Sequence, residues 1–152
     1  MPVARDDLHL TTAHLAYLLD TCGDGFIVCD SAQDIVLINK EAERIFGYAE
    51  GALLGQSIQQ LMPVRYRSRH DVAFRQRLSN PSGMDIRYVE VRGAHSGGGE
   101  IPIEVRFTYT PLGDEVFFTG SVRDVRAQVA GGQAGQQGQP GEQSSQGASG
   151  QE

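Results

Sequence analysis

Four histidines and two cysteines are the side chains of this 152-residue chain that could bind a metal through nitrogen or sulfur or act as strong nucleophiles. Cys22 and Cys29 are too few for a four-ligand zinc site, and His9, His14 and His95 have no second ligand at a usable spacing. His70 stands apart. Tyr66, His70, Phe74 and Leu78 recur every four residues with Ala73 beside them, a stripe that drifts only slowly around a helix. It is the only apolar stripe available there, so it is expected to face the core, leaving Arg65, Arg67, Arg69 and Gln76 mostly off it. An imidazole so placed is either a buried histidine hydrogen-bonded within the core or a ligand to a guest. Catalysis needs a nucleophile with its base, or carboxylates converging on a cleft. The inward faces offer only His70 and Tyr66 as polar groups, so no enzyme is expected. The Gly97-Gly98-Gly99 run lacks the Lys-Ser/Thr that follows a phosphate loop.

Composition sets the frame for these residues. Hydrophobic residues make up 39% and charged residues 21%, as in one ordinary folded domain large enough to bury a core. A net charge of −6 offers no cationic footprint for nucleic acid. No run approaches the ~18 consecutive apolar residues of a membrane span. The start, Met1 to Asp7, has no basic segment leading into an apolar one, and two cysteines make no disulfide scaffold, so a cytoplasmic chain with reduced thiols is expected. From Gln128 to Glu152 the only large apolar residue is Val129, too little to offset chain entropy. The expected organisation is a flanking helix region over 1–17, a folded domain over 18–126 and a disordered Gly/Gln/Ser-rich tail over 127–152.

Periodicity supplies the elements. Leu15, Leu18, Leu19 and Cys22 lie on one helix face, capped by Thr11 or Thr12 and broken by Gly23-Asp24-Gly25. Phe26 to Cys29 and Ile35 to Ile38 read as a hairpin turning at Asp30 to Asp34. Asn39 caps a helix from Lys40 to Phe46 that Gly47 ends. Ala49 to Leu54 reads as another helical turn or two closed by Gly55, and Ser57 with Gln60 as a capping box. Pro63 precedes the long helix, Arg65 to Leu78, which Asn80 to Gly83 terminates. Three strands follow: Arg87 to Arg92, the alternating Ile101 to Tyr109, and Val116 to Arg123. The fold class is therefore α+β, with an antiparallel sheet covered on one face by the middle helices. A pocket between them would be lined by the Ile103–Phe107 face and the Tyr66–Phe74 stripe.

This order resembles the PAS fold over roughly Leu18 to Arg126: a five-stranded antiparallel sheet, short helices across its middle and a cavity between. Gly25 to Asp30, Asn39 to Tyr48, Leu53 to Ser57 and Phe118 to Val125 each look like the family's local patterns. Within the family, Arg67-Ser68-Arg69-His70-Asp71 after Leu61-Met62-Pro63 resembles the start of the long helix in oxygen-sensing haem-PAS domains of histidine kinases. The resemblance implies haem as cofactor and His70 as the proximal iron ligand, binding through its outer ring nitrogen. It also implies Val105 and Phe107 as apolar residues over the gas-binding side. The family's oxygen-contacting arginine, counted back from Pro102, falls at Val89, and its propionate-binding helix arginine is straddled by Arg75 and Arg77. Flavin-binding relatives carry their reactive cysteine in a helix after the first hairpin. Gly55 to Gln60 has none, which leaves Cys29 as a small core residue.

Two functions follow as expectations. One is a sensory module that binds a small ligand or cofactor and signals through a homodimer contact at Leu15, Leu18 and Leu19, and on to an effector such as a kinase or transcription regulator. The other is a ligand-free dimerisation or protein-interaction module whose pocket is filled by its own side chains.

Overall fold

The computed structural model describes residues 9–80 and 87–126. The expected tail over 127–152 and the turn residues 81–83 lie outside them. Three helices, α1 (Thr12–Thr21), α2 (Lys40–Phe46) and α3 (Val64–Ser79), accompany five strands: β1 (Gly25–Cys29), β2 (Ile35–Ile38), β3 (Val89–Ala94), β4 (Glu100–Leu112) and β5 (Glu115–Asp124). The strands form one antiparallel sheet in the order β2-β1-β5-β4-β3. The fold class read from the sequence is the one observed.

Each boundary has a local cause. Thr11 and His14 cap each other's backbone amides at the start of α1. Asn39 accepts from Ala42 N to start α2, and Gly47, at φ 77°, ends it in the left-handed region. Between Ala49 and Leu54 the expected helix is absent. Gly51 sits at φ 77°, which breaks helical continuity, and the segment closes as turns through Ala52 N to Ala49 O and Leu54 N to Gly51 O. The buried Glu43 side chain accepts from Gly51 N at 3.2 Å, and burial raises its pKa. Ser57 likewise makes no reciprocal box: it accepts from Gln59 N and caps a 3-10 turn over Ile58–Leu61, while Gln60 donates to Gln56.

The core is divided. Its larger part joins Ile27, Ile35, Ala42, Ile45, Phe46, Leu53 and Leu61 to Ile101, Ile103, Val105 and Val122. A smaller part joins Cys29, Phe74 and Phe118, with Leu78, Tyr109 and Val116 around them. Thus α2 and the 3-10 turn cover one region of the sheet, and Phe74 of α3 covers another. Cys29 is inert core, its thiol pushed up to about 12, chiefly by burial. Helix α1 buries none of its residues. Its end is tethered: Asn39 Nδ2 donates to Leu19 O at 2.6 Å, and Lys40 N donates to Asp20 Oδ1 at 3.0 Å.

Candidate functional site

Pro63 starts α3, and Asn80 ends it by donating its backbone amide to Gln76 O. Of the expected inward stripe, only Phe74 is fully buried, its ring 4.4 Å from that of Phe118. Phe118 in turn meets the edge of Tyr109 at 5.6 Å. His70 lies one turn back, half-buried, with its ring centroid 6.1 Å from Phe74. Its Nδ1 is buried and has no hydrogen-bond partner. Burial lowers its pKa, partly opposed by the charge of Asp71, so the neutral imidazole is favoured.

Tyr66 departs from the expectation. It is 40% exposed, because α3 buries its apolar face only around Phe74. The Arg65 guanidinium stacks over the Tyr66 ring at 4.4 Å and donates to its hydroxyl at 3.2 Å. Arg65 also pairs with Glu100 through both guanidinium nitrogens, so this rim strap joins α3 to β4. Of the two helix arginines, Arg75 pairs with Asp71 at 3.1 Å, and Arg77 is exposed in the last turn.

On the sheet, Val89 lies opposite Val105, Val91 opposite Ile103, and Phe107 opposite Gly120. Directly opposed residues share a face, so all six belong to the face on which Phe118 meets Phe74. Their burial divides them. Ile103 and Val105 are 3% and 5% exposed and belong to the closed core with α2, which corrects the expected pocket lining. Val89 and Phe107 are 55% and 44% exposed although they point the same way. Val91 completes this uncovered stretch, while the buried Gly120 lies beneath the Phe107 ring, where an added Cβ would stand 3.4 Å from Cε1. Neither was anticipated from the sequence. A glycine inside an apolar strand was the available signal for Gly120, and the alternation with Val89 was the signal for Val91.

The arrangement is an apolar, half-open sheet surface beside a helix that carries a half-buried imidazole whose Nδ1 has no hydrogen-bond partner. Among the described residues no three His, Cys, Asp or Glu side chains converge as a metal site, so His70 could serve only as a single protein ligand to a guest. Nor is any described helix long and apolar enough to cross a membrane.

A five-stranded antiparallel sheet in this order, with helices over one face, is the PAS architecture. Residues 13–125 match the family described as PAS fold, and the chain belongs to that family of sensory modules. It is similar to the sensor protein FixL of Bradyrhizobium diazoefficiens, 35% identical over 120 residues, which are 78% of this chain and 24% of that protein. The chain therefore spans about a quarter of that relative's length. The fold is also shared with solved structures. The PAS domain of an HTR-like protein from Haloarcula marismortui has a TM-score of 0.61 and 24% identity, covering 74% of this chain and 90% of its own. An RNA-binding light-oxygen-voltage receptor has a TM-score of 0.67 and 21% identity, covering 90% and 40%.

Proposed function

We propose that this chain is a sensory module that takes a small ligand or cofactor between α3 and the uncovered face of the sheet, and that the guest is haem held through His70. The observation that carries the reading is the imidazole itself. Burial favours its neutral form, and its buried Nδ1 has no hydrogen-bond partner, which supports a ligand role over that of a hydrogen-bonded core histidine. The residues fit the group in chemistry. His70 would be the axial ligand, Val89, Val91 and Phe107 the apolar contacts, and Arg77, with Arg75 if it leaves Asp71, the cations for the carboxylates. Haem would supply an iron able to bind a diatomic gas. The valine at position 89 brings no hydrogen-bond donor to such a gas, and Val105, with Ile103 beside it, supports the floor of the site from within the core.

The test is an absorption spectrum of the full chain purified from haem-supplied cells. A Soret band is expected, and His70→Ala is expected to abolish it while leaving the folded circular dichroism intact. A colourless wild-type protein would remove haem from the proposal.

Helix α1 carries the output in this reading. Leu15, Tyr17 and Leu18 are exposed, Leu19 is half-buried, and none of the helix's residues is fully buried. Leu15, Leu18 and Leu19 are proposed as the homodimer contact, coupled to a kinase or transcription-regulating effector. The same apolar helix supports a second reading, a ligand-free dimerisation module. Changing Leu15 and Leu18 to Glu is expected to turn the sedimenting dimer into a monomer. Association that survives both changes would place the contact elsewhere. A dimer that forms equally well from cofactor-free wild-type protein would favour the second reading.

A further inference from the structure

Gln33 combines three features that are costly at a single residue. It holds a left-handed backbone, φ 71°, the only described non-glycine residue at positive φ. It is 8% exposed, and its Oε1 is buried with no hydrogen-bond partner. Such strain persists where the surroundings dictate it. The turn fixes the backbone, and Asp71 on α3 directs the side chain: its Oδ1 accepts from Gln33 Nε2 at 2.7 Å while Oδ2 pairs with Arg75. A carboxylate requires a donor, which turns the amide's oxygen away into a place with no partner.

The turn that carries Gln33 is itself fixed. Gln33 N donates to Asp30 O, and Gln33 O accepts from Ile58 N at 2.9 Å. Asp30 Oδ1 accepts from both Ala32 N and Asp34 N. Ile35 and the 55–56 segment exchange backbone hydrogen bonds in both directions, at 2.8 Å each. By contrast, α3 reaches the core through one fully buried residue, Phe74, and its rim strap at Arg65 is solvent-exposed. The Asp71 bond is thus a charge-assisted contact between a rigid turn and a lightly anchored helix, made at the residue next to His70.

We propose that Gln33 is a positioning residue: through Asp71 it anchors α3 to the β1–β2 turn and sets the direction in which the His70 face of the helix points. The anchoring stands on geometry alone, and only its bearing on a guest rests on the function proposed above.

The test follows amide hydrogen exchange along the full, cofactor-free chain. Gln33→Gly removes the side chain and suits the positive φ, so the turn keeps its backbone. Gln33→Glu sets two carboxylates against each other. Both are expected to speed exchange across 66–76 roughly tenfold while β1 and β5 stay as in wild type. Combining Gln33→Glu with Asp71→Asn restores a donor-acceptor pair in reversed polarity and should return α3 to within about twofold of wild type. Unchanged α3 exchange in the two single variants, a rise spread equally over the sheet, or no rescue in the double variant would each overturn the anchoring role. If wild-type protein takes up hemin, its dissociation constant should rise roughly tenfold in Gln33→Gly, and an unchanged constant would overturn the link to His70. If wild-type protein takes up none, the haem reading falls, and the exchange profiles still decide the anchor.

Discussion

Replacing Asn39 with alanine is expected to lower the unfolding free energy by about 3–5 kcal/mol, far beyond the ~1 kcal/mol of an ordinary helix cap. Its amide is 3% exposed and uses both ends fully. Oδ1 accepts from Phe26 N at 2.8 Å and from Ala42 N at 3.1 Å; Nδ2 donates to Leu19 O at 2.6 Å and to Asp24 O at 2.9 Å. One side chain therefore joins the end of α1, the start of β1 and the first turn of α2. Alanine would strand these backbone groups away from water, each at about 1–3 kcal/mol less whatever relaxation recovers. Asn39→Asp separates this role from simple capping. Aspartate is as good an N-cap as asparagine, but here its second oxygen would face two carbonyl oxygens. A loss of about 2 kcal/mol or more is expected, read as a lower urea midpoint. An Asn39→Asp protein as stable as wild type would reduce the residue to a cap.

The second large effect lies where α2 meets β3. A Cβ at Gly93 would stand 2.9 Å from Phe46 Cε1 and 3.2 Å from Ile103 Cδ1, so the Phe46 ring lies directly on the strand backbone. Phe46→Ala empties that place and is expected to cost about 3–5 kcal/mol. Gly93→Ala overfills it, at about 1–3 kcal/mol. The two should not add. With Phe46→Leu as background, the extra methyl at position 93 has room, and its cost should fall below ~1 kcal/mol. Urea unfolding of the four proteins in this cycle measures the coupling. Strict additivity would mean that the ring and the strand do not press on one another.

What could be read from the amino acids, and what could not, follows the range of the interactions. Asn39, Gly47 and Thr11 act within a turn of their own positions, and the helix boundaries they mark are the ones observed. Strand alternation also held, since period 2 assigns Ile101, Ile103, Val105 and Phe107 to one face wherever that face later packs. Coverage of the face could not be read the same way. The alternation treats Val105 and Phe107 alike, yet one is sealed under α2 and the other half-bare, because helix placement over a sheet is a tertiary property. Tyr66 left the expected stripe for the same reason. Its spacing is right, but α3 buries a side chain against the sheet only further along, at Phe74. Ala49 to Leu54 failed more locally, the left-handed Gly51 outweighing the helix-forming residues around it. The Gln33–Asp71 bond spans 38 residues, and a glutamine in a polar turn carries no signal of such a partner.

The division of the interior into two unequal clusters gives the two helices different freedoms. Substitutions around Phe107, Val89 and His70 touch neither the Phe46–Gly93 junction nor the Asn39 amide on which folding depends. Such a chassis lets the proposed ligand site change its selectivity by point mutation while the folded frame survives each intermediate.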